Sequence, residues 1–463
     1  MRRYMKVAAL FKTLPLAAVL VLSSVPNRAF AQFPTNKEIL TVLQKRVDSG
    51  FVKGIIAGVI DRDGRQRIVS AGTSDVPGLA LDANTVFELG SLTKTFTATI
   101  LADMVLHGEV ALDDPAQKYL PASVKVPSRN GRQITLLDLA THTSGLPKIP
   151  SNLKQTDPRN PYASYSVQDM YDYLSSLTLT RDPGKRFEYS NTGVGLLGHI
   201  LSLRAGKSYE DLVIERVLNP LGMANTRITL TPTMKAHLAQ GHDKAGKPKD
   251  PWDLPTIAGA GALRSNMHDM FLYLAAQRDT TRGPLAKQIA MTHRNFHAGP
   301  NTDVSVGLAW HRMHLNGQTI VYHSGETGGY HSYMGFNPST GANAILLVNS
   351  TGPVDEVGVQ MIDRTQKLKD EIVEPVIARK ILESYVGKYQ VRPDIVFEIS
   401  FVGDRIGIAP PGKKPNPLYA ENETTFFIKG PNAGLVFHRS LNGDVIGLDL
   451  RTGDEYEWSP RVP

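Results

Sequence analysis

Ser91 and Lys94 are the two residues of this chain whose types and spacing most directly suggest chemistry. A serine hydroxyl is a weak nucleophile until a neighbouring base takes its proton, and a lysine one helical turn further on can act as that base. The segment after Ser91 has the apolar spacing of a helix as far as His107-Gly108. The apolar positions are Phe96, Ile100, Leu101, Met104 and Val105. Ser91 should then lie at a helix N-terminus, where unpaired backbone N–H groups favour developing negative charge.

The Ser-x-x-Lys spacing is not specific by itself. A chain of this length contains roughly one or two such matches by chance, and Ser151 and Lys154 form a second one. Prolines surround that second copy at positions 147, 150, 158 and 161, which argues against a helix there. The spacing of Ser91 and Lys94 alone would also fit a helix-capping serine beside a solvated lysine.

Two further short motifs follow in order. Tyr189-Ser190-Asn191 precedes a glycine-rich helical stretch and is predicted to be a turn that points side chains into a cleft. His323-Ser324-Gly325 ends an apolar strand predicted over residues 319–322 and runs into Glu326. Either motif alone would also fit an ordinary turn that caps a helix or ends a strand.

The ordered set of motifs resembles the penicillin-recognising serine hydrolases, which include class C β-lactamases, D-Ala-D-Ala carboxypeptidases and β-lactamase-like esterases. The resemblance covers about residues 35–370, and three further phrases lie between the motifs in the same order. These phrases are Leu137-Asp138-Leu139-Ala140-Thr141-His142-Thr143-Ser144-Gly145-Leu146, Pro220-Leu221-Gly222-Met223 and Ala260-Gly261-Ala262-Leu263.

The resemblance implies a role for each motif residue. Ser91 is the expected nucleophile, and Lys94 and Tyr189 are expected to share proton transfer, with the base between them left open because their titrations would be coupled. Asn191 is expected to hold the substrate's side-chain amide and to help fix Lys94. The backbone N–H groups of Ser91 and Glu326 are expected to form an oxyanion hole.

His323 is where this chain departs from class C β-lactamases, which usually carry lysine at this place. With Ser324 and Gly325 it is expected to bind substrate, but histidine is mostly neutral near pH 7 and is a weaker anchor for a carboxylate. If its charge does bind a carboxylate, binding should strengthen as the pH falls through its pKa. Carboxypeptidases and esterases of the family also use histidine here, so the residue favours those activities over efficient β-lactam hydrolysis.

The predicted function is therefore that of a serine hydrolase that forms an acyl-enzyme on Ser91 and cleaves β-lactam or D-Ala-type amide bonds. The alternatives are a β-lactamase-like carboxylesterase and a penicillin-binding sensor that acylates with little turnover. The resemblance implies a reaction that needs no metal and no organic cofactor. The substrate is expected to be a small molecule or a peptidoglycan peptide, and the oligomeric state is left open.

The first 31 residues are predicted to be a signal peptide. A basic start, an apolar core over residues 14–22 and Ala29-Phe30-Ala31 predict cleavage before Gln32, with export to the periplasm or the exterior and no stable membrane insertion afterwards. Five cations and no acid lie in this segment, so the formal charge would fall from +7 to about +2. The basic balance therefore gives no reason to expect nucleic-acid binding. The absence of cysteine excludes disulfides and thiol chemistry.

Regular apolar spacing predicts a first helix over residues 36–48, and alternating strands around the turn of residues 61–64 predict a hairpin. Further along the chain, helices are predicted over residues 193–204 and about 354–367, and one strand over residues 304–313. Strand patterns near both ends of residues 32–372, with helices between them, therefore predict a mixed α/β (α+β) fold. It should have one antiparallel sheet covered by helices, plus a helical lobe, as the resemblance also implies.

Six short strands separated by turn residues predict a small all-β domain over residues 373–463, a barrel or a sandwich. The predicted strands cover residues 385–389, 395–401, 405–408, 425–429, 435–439 and 445–450. The Gly-x-Gly-x-x-Gly pattern at residues 193–198 is interpreted as close helix packing, because no buried strand precedes it.

Overall fold

The computed structural model describes residues 33–463, except 51, 155–156, 158, 244, 301, 353, 364, 366–367, 369–376, 393, 421–422, 429–432, 441–442 and 453–454. The predicted signal peptide lies outside the described residues, and so does most of the predicted domain boundary near residue 372. The helices, in chain order, are α1 Asn36–Asp48, α2 Thr93–Leu106, α3 Leu136–Ala140, α4 Val167–Ser176, α5 Asn191–Ala205, α6 Tyr209–Val213, α7 Asn219–Leu221, α8 Pro232–Ala236, α9 Met267–Arg278, α10 Ala286–Thr292, α11 Asp355–Ile362 and α12 Arg379–Tyr385. Short 3₁₀ turns occur at Gly90–Leu92, Ala116–Tyr119 and Ala258–Ala260, and a π-helical turn at Ile214–Leu218.

The strands, in chain order, are β1 Gly54–Ile60, β2 Gln66–Gly72, β3 Val86–Glu88, β4 Ser128–Arg129, β5 Arg132–Gln133, β6 Gly241–His242, β7 Pro248–Lys249, β8 Arg264–Asn266, β9 His297–Ala298, β10 Val304–Val306, β11 His311–Leu315, β12 Gln318–Glu326, β13 His331–Phe336, β14 Asn343–Val348, β15 Gly387–Arg392, β16 Ile395–Val402, β17 Arg405–Ala409, β18 Asn416–Ala420, β19 Thr425–Ile428, β20 Ala433–Arg439, β21 Val445–Thr452 and β22 Glu455–Val462.

The main sheet is antiparallel and has the strand order β2-β1-β14-β13-β12-β11-β10-β9. Its central strands are buried on both faces, because successive side chains of a strand point to opposite sides and helices cover each side. In β1, Ile55 joins the hydrophobic cluster that contains α1 and α11 residues. Ile56 joins the cluster of the helical lobe, and a Cβ at Gly58 would lie 2.4 Å from Sδ of Met267 in α9. The predicted sheet, covered by helices and flanked by a helical lobe, is confirmed.

The glycines of α5 allow close helix packing, which confirms the interpretation of the Gly-x-Gly-x-x-Gly pattern. A Cβ at Gly195 would lie 2.5 Å from Cβ of Ile257, and one at Gly198 would lie 3.0 Å from Cα of Gly259. The absence of side chains lets α5 approach the 3₁₀ turn Ala258–Ala260 closely. That turn carries the carbonyl group that holds Lys94.

The eight strands β15–β22 form a closed barrel with its own apolar core, so the predicted all-β segment is confirmed as a barrel. Two details of the prediction were wrong. Residues 385–389 were expected to be one strand, but Tyr385 ends α12, where its ring stacks on Phe437 at 3.9 Å. Strands β18 and β22 were not foreseen, since Pro417 and Pro460 interrupt the strand pattern. No helix among the described residues is long and apolar enough to span a membrane.

Four predicted elements differ in extent. Helix α5 begins at Asn191 rather than Gly193, because Ser190 caps it by accepting a hydrogen bond from the N–H of Gly193. Strand β12 continues to Glu326 instead of ending near residue 322. Residues 304–313 form two strands, with Ala309 between them in the left-handed region at φ 61°. The helix expected over residues 354–367 ends at Ile362.

The buried His331 of β13 forms an ion pair with the half-exposed Asp355 at the start of α11, with Nε2 2.8 Å from Oδ1. Burial alone would lower the pKa of His331, but the carboxylate of Asp355 outweighs it and raises that pKa to about 9. The pair therefore stabilises the fold fully below about pH 6.5, and this contribution is lost as the pH rises through about 9.

We expect the free energy of unfolding of the natural protein to decrease between pH 6.5 and 9. This decrease should exceed the decrease in His331→Gln by at most about 3 kcal/mol. Urea unfolding at several pH values measures this difference in slope. Equal slopes for the two proteins would show that the ion pair does not couple folding to protonation.

Candidate active site

Ser91 is positioned by the 3₁₀ turn Gly90–Leu92, between β3 and α2. The turn lies directly on the end of β12: a Cβ at Gly325 would lie 2.7 Å from the backbone nitrogen of Ser91. One at Gly90, whose φ is 51°, would lie 2.8 Å from the nitrogen of Glu326. Neither position leaves room for a larger residue. The hydroxyl of Ser332 in β13 donates to the carbonyl of Leu89 at 2.6 Å and fixes the turn from the other side.

Lys94 is completely buried, and its Nζ lies 2.8 Å from Oγ of Ser91. Nζ also donates to the carbonyl of Ala260 at 2.7 Å. Burial lowers the pKa of Lys94 well below its usual value of 10.5, and the positive charge of Lys148 lowers it further. A neutral amine that donates to Ala260 keeps its lone pair for the proton of Ser91, so the predicted contact of amine and hydroxyl is present in the fold.

Tyr189 lies beside this pair, with Nζ of Lys94 4.9 Å from the centre of its ring. The ring stacks on the imidazole of His142 at 4.4 Å. His142 is held in turn by its Nδ1, which accepts a hydrogen bond from the N–H of Ser190 at 3.1 Å. The structure thus brings Ser91, Lys94 and Tyr189 together from two segments far apart in the chain.

Asn191 is the first residue of α5, and its backbone N–H donates to the carbonyl of Lys148 at 3.0 Å. Its Oδ1 is buried and accepts no hydrogen bond among the described residues. The described hydrogen bonds of Lys94 go to Ser91 and Ala260, so the expected fixing of Lys94 by Asn191 gains no support from them. An unpaired acceptor at this place suits a substrate N–H.

Glu326 can supply the second backbone donor beside Ser91. The N–H of Thr327 bonds back to Tyr330 across the hairpin, and N–H groups alternate in direction along a strand, so the N–H of Glu326 faces away from β13. Strand β11 pairs with β12 only as far as Tyr322. Beyond Tyr322, this edge of β12 faces the turn that carries Ser91. Ser324 and Gly325 lie in the same stretch of β12, so the four motif residues 323–326 form a strand edge against Ser91.

His323 is buried, and its Nδ1 lies 2.5 Å from the carbonyl of Ser324, which can only accept a hydrogen bond. Nδ1 therefore carries the proton, and Nε2 is a buried acceptor without a donor among the described residues. Burial, followed by the charges of His311 and Lys94, lowers the pKa of His323 well below its usual value of 6.5. The imidazole should be neutral throughout the physiological range.

We therefore expect the affinity for a carboxylate-bearing β-lactam to be flat between about pH 5.5 and 8, and not to rise through a histidine pKa. Binding to Ser91→Ala, measured by calorimetry, separates this effect from the chemistry, and the exposed His268→Gln serves as a control in the same background. Affinity that strengthens about tenfold on acidification, and no longer does so in His323→Gln, would show that His323 becomes charged.

The sequence analysis did not predict three features of the site: the stacking of His142 on Tyr189, the carbonyl of Ala260 as an acceptor for Lys94, and the position of Lys148. His142 and Ala260 both lie in phrases that the sequence analysis had singled out without giving them a role. His142 has φ 59°, a conformation uncommon for a residue other than glycine, and only the fold shows it. No sequence pattern pointed to Lys148.

Comparisons with known proteins show the family to which this chain is similar. A family model described as Beta-lactamase matches residues 40–364. The chain is 28% identical to a β-lactamase of Pseudomonas fluorescens, over 64% of this chain and 84% of that protein. It is also 28% identical to the D-alanyl-D-alanine-carboxypeptidase/endopeptidase AmpH of Escherichia coli K12, over 73% of this chain and 91% of that protein.

Among solved structures, a β-lactamase/D-alanine carboxypeptidase from Yersinia pestis matches with a TM-score of 0.62 at 25% identity. That match covers 72% of this chain and 98% of the other. The family match alone spans well over half of the chain, and it includes all the motif residues from Ser91 to Glu326. The chain therefore belongs to the β-lactamase family and is a serine hydrolase of that family.

Proposed function

We propose that Ser91 is the nucleophile of this hydrolase and that the reaction passes through a covalent ester on its Oγ. The observation that carries the proposal is the 2.8 Å contact between Oγ and the buried Nζ of Lys94. An amine whose pKa is lowered by burial can take the serine proton near neutral pH, which an exposed lysine could not do.

In the acylation step the bond from Oγ of Ser91 to the substrate carbonyl forms, and the serine proton passes to Lys94. Collapse of the tetrahedral intermediate breaks the carbon–nitrogen bond, and the proton reaches the leaving nitrogen through Lys94 and Tyr189. In this mechanism the N–H groups of Ser91 and Glu326 donate to the developing oxyanion, an interaction worth about 3–4 kcal/mol per donor in other hydrolases. Water then attacks the ester carbonyl and gives its proton to the same pair. The bond between the acyl carbon and Oγ breaks, and that proton returns to Ser91.

The substrate class we propose is a β-lactam or a D-Ala-type amide, as in a small molecule or a peptidoglycan peptide. The relatives' names, β-lactamase and D-alanyl-D-alanine carboxypeptidase, support both members of this class. A histidine at position 323 favours the peptidase over an efficient β-lactamase, because carboxypeptidases of the family also carry histidine at this place. Its neutral imidazole offers no cation to a carboxylate, and this supports the second candidate, a carboxylesterase that acts on uncharged acyl donors.

Parallel assays with nitrocefin, a D-Ala-D-Ala peptide and a short-chain aryl ester would decide between these activities. Intact-mass spectra over time would follow the adduct in the same samples. A transient adduct on Ser91 with release of D-Ala supports the peptidase, and rapid turnover of the aryl ester alone supports the esterase. A persistent adduct with scarcely any turnover would indicate a penicillin-binding sensor.

We further propose that the protein is exported and loses residues 1–31. The support is the basic start, the short apolar run and the Ala29-Phe30-Ala31 sequence. In the producing cell, we expect the protein outside the cytoplasmic membrane to have a mass that corresponds to a chain starting at Gln32. A full-length cytoplasmic form as the sole product would contradict the proposal.

A further inference from the structure

The loop that carries Lys148 is fastened to the start of α5. The hydroxyl of Ser190 donates to the carbonyl of Pro147 at 2.8 Å. The N–H groups of Asn191 and Thr192 donate to the carbonyl of Lys148 at 3.0 and 3.3 Å. The backbone of Lys148 is therefore fixed directly beside Asn191, at the start of α5.

The charge of Lys148 reaches the catalytic pair. After burial, it is the second cause that lowers the pKa of Lys94. The histidines around Lys94 contribute no positive charge near pH 7, because burial lowers the pKa values of His142, His311 and His323. Lys148, in contrast, is only partly buried and stays in contact with solvent. Among the described residues, it is the cation whose charge acts on Lys94.

The site therefore has positive charge at the α5 end and a neutral histidine at the β12 end. This is the reverse of a site whose cation lies on the β12 strand. An anionic group of the substrate is accordingly favoured on the part that lies along α5. That part also meets Oδ1 of Asn191, the buried acceptor that suits a substrate N–H.

We propose that Lys148 is a specificity-determining residue that binds a carboxylate on the acyl part of the substrate, beyond the amide that Asn191 holds. The inference rests on the proposed acyl-enzyme function and names its substrate class more closely. The favoured acyl donors are N-acylated D-amino acids whose N-acyl group ends in a carboxylate, such as a peptide with an acidic residue before the scissile D-Ala unit.

Two esters of the same shape test the proposal. They are the p-nitrophenyl esters of D-alanine that carry an N-succinyl group or its uncharged carboxamide analogue, the N-succinamoyl group. Both release the same leaving group, so the ratio of their kcat/KM values isolates the charge of the acyl part. At pH 7 and low salt we expect the natural protein to prefer the carboxylate by about tenfold or more, the usual size of a charge-assisted hydrogen bond.

Lys148→Met should bring this ratio close to one, and Lys148→Arg should largely retain it. Lys154→Met, which removes an exposed lysine of the same segment, should leave the ratio as it is. The preference of the natural protein should also weaken with added salt. As a second readout, Lys148→Met should move the acidic limb of the pH profile for the neutral ester upward, because Lys94 loses a neighbouring positive charge.

A ratio near one in the natural protein, or the same ratio in Lys148→Met, would overturn the inference. An equal loss of activity on both esters in Lys148→Met would do the same, since it would show a merely structural role. If the natural protein cleaves neither ester and forms no adduct on Ser91, the failure lies in the acyl-enzyme proposal itself.

Discussion

Replacement of Ser91 by alanine is expected to abolish both the covalent adduct with a β-lactam and measurable hydrolysis of any substrate. The hydroxyl is the group within 2.8 Å of the buried amine of Lys94, and no bond to the acyl carbon can form without it. Loss of a nucleophile that acts with a base costs at least about a thousandfold in kcat in other serine hydrolases. The change removes one atom, so the fold should be unaffected.

Ser151→Ala is the matched control, because Ser151 and Lys154 repeat the same spacing elsewhere in the chain. Residues 151 and 154 are both exposed and lie outside any helix, whereas Lys94 is buried. Labelling with a fluorescent penicillin, followed by gel electrophoresis and peptide mapping, measures the result. Labelling that persists in Ser91→Ala would remove Ser91 from the mechanism, and loss of labelling in Ser151→Ala would point to the second copy.

Lys94→Met and Tyr189→Phe should each lower kcat by at least about a hundredfold, the lower end of what loss of a general base costs. Methionine fills most of the buried volume of the lysine without its amine. Phenylalanine retains the ring that stacks on His142 and removes the hydroxyl. Both variants should therefore fold, which circular dichroism and the unfolding midpoint can verify.

The double variant should lose far less than the product of the two single losses, because the two residues act as one proton-transfer unit. Single-turnover acylation and deacylation rates of all four proteins give the coupling for each step. Losses that multiply fully would mean that Lys94 and Tyr189 serve separate steps. A Tyr189→Phe variant with normal acylation would limit the tyrosine to a structural role.

Local features of this protein could be predicted from the sequence because neighbouring residues determine them. Helix α1 was expected over residues 36–48 and has those bounds, since Thr35 and Glu38 form a capping box and the apolar spacing is regular. The hairpin of β1 and β2 was expected at its turn of residues 61–64, and the structure has it there. The barrel strands were predicted less well, because strand pairing depends on residues distant in the chain.

The candidate site divides in the same way. The spacing of Ser91 and Lys94 is local: three residues along a helical turn can bring the amine to the hydroxyl where the helix forms, which it does not at Ser151 and Lys154. The order of the motifs likewise indicated the family. Gly325 lies against the backbone nitrogen of Ser91, and β12 extends to Glu326. Both features follow from the close approach of two backbone segments more than 200 residues apart.

The protonation states were decided by the tertiary structure alone. The sequence shows that residues 94 and 323 are Lys94 and His323. The pKa of each side chain, however, depends on how completely water is removed and on which charges lie nearby. Complete burial lowers the pKa of Lys94, and burial keeps His323 neutral where a charge was a sequence-based possibility. The placement of Lys148 beside Asn191 likewise comes from hydrogen bonds between a loop and a helix end. The sequence thus determined which groups can react, and the tertiary structure decided their charge, because desolvation is a property of the packed protein and not of a residue type.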